Sequence, residues 1–290
     1  MTTTAHPYAD ARVALATRHA KDKVLGPALA RIPGLRLILA DDVDTDELGT
    51  FTGEVPRAAS PSVTAVRKAR LGLRSTGLGL AVASEGSFGP HPMAPMLSAG
   101  DEILAFLDTT RDLCIVERRL GLTNFAHTTA RRLDETIEAF LGRTGFGAHA
   151  MIVRPHTPID PQDPRPISKG IRTRAELAAA IDECALRSAD GLARLETDMR
   201  AHLNPTRMRE IGLLADRLTD RLATLCPACG TPGYGQVDRE PGLPCDSCSE
   251  PTSQTLAVIH GCQRCPHRSS HPRDDGRVST DPTFCDGCNP

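Results

Sequence analysis

Four Cys-x-x-Cys pairs lie between residues 226 and 288, and they restrict the fold of this stretch more than any other feature. The pairs are Cys226/Cys229, Cys245/Cys248, Cys262/Cys265 and Cys285/Cys288. A structural zinc ion takes four tetrahedral ligands, and a Cys-x-x-Cys turn presents two thiolates at a suitable separation. Because two pairs complete one site, the eight cysteines predict two structural zinc ions in a double zinc ribbon.

The spacing leaves the pairing of these four knuckles open. Consecutive pairing joins the first knuckle to the second and the third to the fourth. Nested pairing is the alternative, since PTSQTLAVIH between Cys248 and Cys262 has the pattern of a hairpin that joins two knuckles. His267 and His271 are expected to be surface residues, because cysteine already supplies every ligand. With no position left for water, both metal ions are predicted to be structural and not catalytic.

The charge of the cysteine-rich stretch bears on its partners. Residues 223–290 contain five Arg, no Lys and eight Asp or Glu, a formal net charge of −3. A surface that binds nucleic acid carries clustered positive charge, so we do not expect nucleic acid as a partner. The balance favours a structural or protein-docking role. The whole chain, at −2, shows no electrostatic bias toward nucleic acid or membranes.

The N-terminal residues and the apolar runs indicate the compartment. The start, MTTTAHPYADAR, lacks a charged segment followed by an apolar one, so residues 1–10 are predicted to be a disordered tail and not a signal peptide. No run approaches the roughly 20 apolar residues that a membrane-spanning helix needs. We therefore expect a cytoplasmic protein without membrane association, whose cysteines bind metal instead of forming disulfides.

Strand-like and helix-like patterns alternate through the first part of the chain. Strands are predicted at 12–17, 35–40 and 78–83, with helices at 21–31 and 60–75 between them. This βαβαβ order predicts an α/β domain over residues 11–166, with a mixed, mainly parallel sheet flanked by helices. Its second half adds a hairpin (102–107 with 113–120), a helix (128–141) and a strand (150–154).

Residues 167–222 are predicted to form a helical extension, followed by the double zinc ribbon at 223–290. Helices are expected at 174–187, at 191–202 and after Asn204, which is a good N-cap with Pro205 at the first helical position. On a helix, Asp198 and His202 would be neighbours at a spacing that metal ligands also use, although surface pairs of this kind are more common.

Polar side chains occur where three of the predicted elements end. His19 and Lys21 come between the first strand and the first helix, where free backbone N–H groups attract anions. Glu85 follows the third strand, in ASEGSFG. Between them, the loop after the second strand contains possible oxygen ligands and phosphate donors: Asp44, Asp46, Glu54, Thr50, Thr52 and Arg57. The carboxyl edge of a parallel sheet is where such folds bind ligands, although acidic loops are commonly just solvated.

The chain resembles a family of uncharacterised bacterial proteins that share an ASEGSFGPHP-type motif, an ETDMRAHxNPTRM segment and paired zinc ribbons, and that have no assigned activity. The first half also resembles the ITPase-like nucleoside triphosphate pyrophosphatases. The points of likeness are Thr17-x-His19-x-Lys21, Lys68-Ala69 and Glu85-Gly86-Ser87. The lysine stands one position earlier than in that family, and histidine replaces its asparagine.

The second resemblance implies a metal-dependent hydrolase of a nucleotide-like phosphorylated substrate. Glu85 with Asp44 or Asp46 would bind Mg²⁺, and Lys21 would hold a triphosphate. Glu54, a further oxygen ligand of the same loop, completes the expected catalytic residues. The expected substrate contacts are His19, Thr50, Thr52, Arg57, Lys68, Ser87, His91, Arg200, His202 and Arg207. The alternative is a non-enzymatic adaptor, in which the zinc ribbons dock a protein partner and the α/β domain is a scaffold.

Overall fold

A computed structural model of the chain describes residues 5–17, 19–40, 42–43, 59–160 and 167–290. These residues belong to two compact units. One is Asp10–Arg217, and the other combines the described part of residues 1–9 with Leu218–Pro290. The candidate residues Asp44, Asp46, Thr50, Thr52, Glu54 and Arg57 lie outside the described residues.

The first unit contains a five-stranded sheet in the order β2-β1-β3-β4-β5. Its strands are β1 (Arg12–Leu15), β2 (Arg36–Leu39), β3 (Leu80–His91), β4 (Ala94–Asp108) and β5 (Leu113–Leu122). Strand β1 is parallel to β2 and β3, whereas β3–β4 and β4–β5 are antiparallel. The prediction of a mainly parallel sheet is therefore wrong. The reason is that β3 continues well past Ala83 and turns directly back as β4, and a tight connection makes strands antiparallel.

Two helices follow the predicted order, α1 (Asp22–Leu29) after β1 and α2 (Pro61–Thr76) before β3. The Ser60 side chain accepts a hydrogen bond from the Val63 N–H, and Gly77 ends α2 in the left-handed conformation at φ 67°. Small buried residues on α2, such as Ala69, pack against Ala81 and Ala83 of β3. This face of β3 is therefore covered by α2.

A second sheet in the same unit has the order β6-β9-β7-β8 and is antiparallel throughout. Its strands are β6 (His127–Ala130), β7 (Met151–Pro155), β8 (Ser168–Ile171) and β9 (Ala193–Thr197), accompanied by helices α3 (Glu138–Thr144) and α4 (Arg174–Leu186). The helix predicted at 128–141 begins only at Glu138. The prediction of a helix at 191–202 is wrong, because residues 193–197 form β9.

The burial of β9 explains that error. Ala193, Leu195 and Thr197 are buried while Arg194 and Glu196 are half-exposed, which is the period of a strand. Residues 167–222 are thus not purely a helical extension, since β8 and β9 complete the second sheet. The last helix, α5 (Pro205–Ala223), begins as predicted, because Asn204 Oδ1 accepts a hydrogen bond of 3.0 Å from the Arg207 N–H.

The second unit contains a three-stranded antiparallel sheet, β10-β11-β12. Its strands are β10 (Gly235–Pro241), β11 (Thr255–Gly261) and β12 (Arg268–Pro272), and the cysteine knuckles lie beyond the strand ends. None of the helices in the described part of the chain combines the length and the apolar composition needed to cross a bilayer.

Candidate functional site

The eight knuckle cysteines gather into two groups, each able to hold one metal ion. They are Cys226, Cys229, Cys262 and Cys265 in one group and Cys245, Cys248, Cys285 and Cys288 in the other. The Sγ atoms of Cys226 and Cys265 are 3.7 Å apart, and those of Cys248 and Cys285 are 3.5 Å apart. Tetrahedral Zn–S bonds of about 2.3 Å place two sulfurs about 3.8 Å apart. The thiols therefore have the spacing that structural zinc requires.

The pairing is crossed, so it is neither consecutive nor nested. The first knuckle joins the third, and the second joins the fourth. The sheet explains this arrangement, since Gly235 at the start of β10 pairs with Gly261 at the end of β11. Antiparallel strands bring the first and third knuckles to one end of the sheet. The second knuckle lies between β10 and β11, and the fourth comes after β12. Both are therefore at the other end of the sheet.

A second set of chemically active side chains lies in the first unit, around the middle of β3. Strand β1 ends at Leu15, which pairs with Val82, so the next residues of β3 lie beyond the carboxyl end of β1. The sequence predicted that Glu85 follows the end of its strand. In the structure Glu85 lies near the centre of β3. We use the name polar cluster for ten residues: His19, Lys21, Lys68, Ser84, Glu85, Glu102, Asp198, Arg200, His202 and Arg207.

On the α2 side of β3, Glu85 forms an ion pair with Lys68. Glu85 Oε2 and Lys68 Nζ are 2.6 Å apart, and the two residues are 2% and 9% exposed. Because Glu85 alternates with Ser84 and Gly86, it faces the helix that carries Lys68. A buried pair at this distance satisfies both charges, and loss of either partner would leave the other uncompensated.

On the opposite face of β3, Lys21 Nζ donates a hydrogen bond of 2.6 Å to Ser84 Oγ. Both residues are buried. The pKa of Lys21 is lowered to about 7, mainly by burial and also by the charges of Arg207 and Lys68, which outweigh the opposite effect of Glu102 and Glu85. The amine can therefore lose or gain a proton near neutral pH.

Glu102 and Arg207 form a second buried ion pair on that face. Arg207 Nε donates to Glu102 Oε1 at 2.7 Å, and its guanidinium carbon lies 5.1 Å from the centre of the Phe88 ring. Gly86 faces Glu102 across β3 and β4. A Cβ at Gly86 would lie 2.7 Å from both carboxylate oxygens. The glycine thus makes room for an ion pair of the protein itself.

His19 and His202 stack beside these groups, with ring centroids 5.1 Å apart and planes 23° apart. Burial first, and then the charges of Lys21 and three other neighbours, together lower the pKa of His19 to about 3. Its Nδ1 is buried and has no hydrogen-bond partner among the described residues. A neutral imidazole with one unused nitrogen is therefore held at the edge of the cluster.

Asp198 forms its ion pair with Arg200. The predicted helix would instead have placed His202 next to Asp198. Its Oδ2 lies 2.6 Å from Arg200 Nη2, and the carboxylate also accepts a hydrogen bond from the Gly170 N–H. Asp198 is fully buried, in a non-helical segment after β9. Glu196, the preceding acid in β9, bonds Arg154 at 2.6 Å.

Seven of the residues that the sequence nominated meet in the polar cluster: His19, Lys21, Lys68, Glu85, Arg200, His202 and Arg207. His91 does not, because it lies six residues beyond Glu85, about 20 Å along an extended strand, where its Nδ1 accepts from the Met93 N–H. Ser87 is half-buried opposite Asp101 and makes none of the cluster's described hydrogen bonds. Sequence reasoning overlooked Ser84 and Glu102, although the acidic pair Asp101-Glu102 directly before the apolar run ILAFL was a usable signal for Glu102.

Comparison with known families decides the relationship of the chain. A family model described as Domain of unknown function (DUF6671) matches residues 68–290, more than three quarters of the sequence. The protein belongs to the DUF6671 family. This agrees with the resemblance to an uncharacterised family that has paired zinc ribbons, whereas the ITPase-like resemblance finds no support. A search of curated proteins finds no match. The DUF6671 match includes Lys68, Glu85, Glu102, Arg207 and both cysteine groups, and it begins after His19 and Lys21.

Proposed function

We propose that this DUF6671 protein is a hydrolase that binds a phosphorylated, nucleotide-like substrate at the polar cluster. The observation that carries the proposal is the buried position of Lys21 beside Arg207 and Lys68, which brings its pKa to about 7. A buried lysine among other cations raises the local potential, and a phosphate dianion would relieve it. Perturbed groups of this kind concentrate at functional sites.

The balance of charge within the cluster supports an anionic ligand. Its cations are Lys21, Lys68, Arg200 and Arg207, and its carboxylates are Glu85, Glu102 and Asp198. Each of these carboxylates is paired with Lys68, Arg207 or Arg200, so the remaining cation of the cluster is Lys21. Cationic donors preorganised in a dry site stabilise the charge that develops on a transferring phosphoryl group.

The described residues do not by themselves form a magnesium site. Glu85 is bonded to Lys68, and the described groups of three or more metal-ligating side chains are the two cysteine clusters. The Mg²⁺ proposed from the sequence depends on Asp44 and Asp46, which lie outside the described residues. We therefore derive no step through Mg²⁺ and make the metal a variable of the test.

The test uses the full-length, zinc-loaded chain and a panel of nucleoside mono-, di- and triphosphates, with Mg²⁺ or with EDTA. Release of phosphate and pyrophosphate is measured for the wild type, Glu85→Gln and Arg207→Met. We expect a loss of about 100-fold or more in each variant, the scale of removing one preorganised charge. Arg209→Met is the matched control, because its side chain is 69% exposed on the same helix. No release by the wild type, or equal rates in all variants, contradicts the proposal.

We also propose that the metal held by both cysteine groups is zinc and that its role is structural. Four thiolates complete each site, so no position is open for a substrate or a water. This observation also supports the alternative function, an adaptor that presents the second unit to a protein partner. Folded, zinc-loaded protein that hydrolyses none of the phosphorylated compounds would favour the adaptor.

A further inference from the structure

Lys21 differs from the other buried cations of the polar cluster in the chemistry of its partner. Lys68 and Arg207 each bond a carboxylate, whereas the hydrogen-bond partner of Lys21 in the described part of the chain is the hydroxyl of Ser84. A buried ammonium without a paired carboxylate is costly, so the site favours the neutral amine. A neutral amine 2.6 Å from a serine oxygen can accept the hydroxyl proton.

We propose that Ser84 is a catalytic nucleophile and that Lys21 is its general base, so that phosphoryl transfer passes through a phosphoserine. The proposal rests on the proposed function and adds a covalent intermediate to it. A serine hydroxyl is a weak nucleophile unless an adjacent base removes its proton, and lysine is one of the bases that proteins use for this purpose.

The surroundings of Ser84 are suited to this role. Gly86, the next residue on the same face of β3, has no side chain, and the space beside it holds the guanidinium of Arg207 together with its partner Glu102. Arg207 and Lys68 are close enough to Lys21 to lower its pKa, and Arg207, on the same face of β3 as Ser84, is placed to attract the oxygens of a phosphoryl group. The pKa of about 7 for Lys21 is in the range where a base is both available and effective at neutral pH.

The reaction balances with water as the co-reactant. Ser84 Oγ attacks phosphorus, its proton passes to Lys21 Nζ, and the bond from phosphorus to the leaving oxygen breaks. Lys21 then gives the proton to that oxygen. In the second half, water attacks the phosphoserine and loses a proton to Lys21. The Oγ–P bond breaks, and the proton returns to Ser84 Oγ as inorganic phosphate or a phosphomonoester leaves.

The proposal is tested with a small alkyl fluorophosphonate, which reacts with activated serine hydroxyls and releases fluoride. The full-length, zinc-loaded chain is labelled, and the modified peptide is located by mass spectrometry. We expect the adduct on Ser84, and a loss of labelling of at least tenfold in Ser84→Ala and Lys21→Met. Ser98→Ala, on the same hairpin, and Lys23→Met, at an exposed lysine on α1, are the matched controls.

The outcomes separate the two proposals. Labelling of Ser84 that depends on Lys21 supports the dyad, even if none of the phosphorylated compounds is hydrolysed. Hydrolysis that persists in Ser84→Ala overturns the dyad and leaves the hydrolase proposal standing. Absence of label from Ser84 in the folded wild type also overturns the dyad, and this result requires no variant to fold.

Discussion

Gly86 on β3 and Glu102 on β4 stand directly opposite each other, and the absent side chain of the first makes room for the carboxylate of the second. An ideal Cβ at Gly86 would lie 2.7 Å from both Glu102 oxygens and 2.8 Å from Arg207 Nη2. Contacts this short do not occur at real Cβ atoms. The first glycine of the ASEGSFG motif, Gly86, is therefore required by the ion pair between Glu102 on β4 and Arg207 on α5.

We expect Gly86→Ala to destabilise the first unit by about 1–3 kcal/mol, the usual cost of overpacking a filled interior. The clash involves charged groups that are buried on both sides, so they have little room to move. Urea denaturation followed by circular dichroism measures the effect. Gly89→Ala is the matched control, since nothing lies within 4 Å of a Cβ at this position of the same strand. Equal costs at the two positions would show that the contact with Glu102 is unimportant.

Removing one partner of the Glu102–Arg207 pair should cost more than removing both. Glu102→Ala leaves Arg207, which is 1% exposed, with an uncompensated charge, and we expect a loss of about 3–5 kcal/mol. The double change Glu102→Leu with Arg207→Met removes both charges and should recover part of that loss. A double-mutant cycle in the free energy of unfolding measures the coupling. A cost below about 1 kcal/mol for Glu102→Ala would contradict this account.

Lys21→Met should change how stability depends on pH. Burial, Arg207 and Lys68 lower the pKa of Lys21 from 10.5 to about 7 in the folded protein. Between those values the unfolded chain binds a proton that the folded chain does not, so this residue makes the folded state more stable as pH rises. The variant lacks that gain. Between pH 7.5 and 9.5, the free energy of unfolding of the wild type should therefore rise relative to that of the variant by on the order of 2 kcal/mol, since one pKa unit corresponds to about 1.4 kcal/mol.

Urea denaturation at the two pH values measures this difference. Lys23→Met, at an exposed lysine two residues away, is the control and should show no comparable change. Lys21→Met and the wild type could instead differ by the same free energy of unfolding at both pH values. That result would mean that Lys21 remains charged in the folded protein.

Two pairs of cysteine substitutions distinguish the crossed arrangement from the other two. Cys226→Ser with Cys262→Ser damages a single site if the pairing is crossed, so elemental analysis should find close to one zinc per chain. Consecutive or nested pairing would place those cysteines in different sites, and both metals would be lost. Cys226→Ser with Cys245→Ser is the reciprocal control, and crossed pairing predicts that it retains almost no zinc.

Features that depend on a few neighbouring residues could be predicted from the sequence. Ser60-Pro61 and Asn204-Pro205 each open a helix where expected, because the capping side chain bonds a backbone N–H three residues on. The Cys-x-x-Cys turns identify metal sites for the same reason. Seven of the nominated residues meet in the polar cluster, although Glu85 lies near the middle of β3 and not at the strand end that the sequence suggested, and Lys68 lies near the middle of α2.

Features that depend on distant contacts could not be predicted. Residues 193–197 contain good helix formers, yet they form β9 because β6 and β7 offer backbone partners on both sides. Glycine and proline after Ala83 resemble the end of a strand, but pairing with β4 extends β3 to His91. The crossed knuckles follow from the antiparallel register of β10 and β11, which no local spacing expresses.

The crossed knuckles also affect how the protein is made. The first four knuckle thiols to leave the ribosome, at Cys226, Cys229, Cys245 and Cys248, comprise half of each final site. They are enough to bind one zinc ion in a set that the finished protein does not use. Correct metal loading must therefore wait for Cys262 and Cys265, or proceed by ligand exchange once they are synthesised. Similarly, a chain cut between Cys248 and Cys262 leaves neither fragment with a complete native site, so neither fragment can keep a native metal site alone.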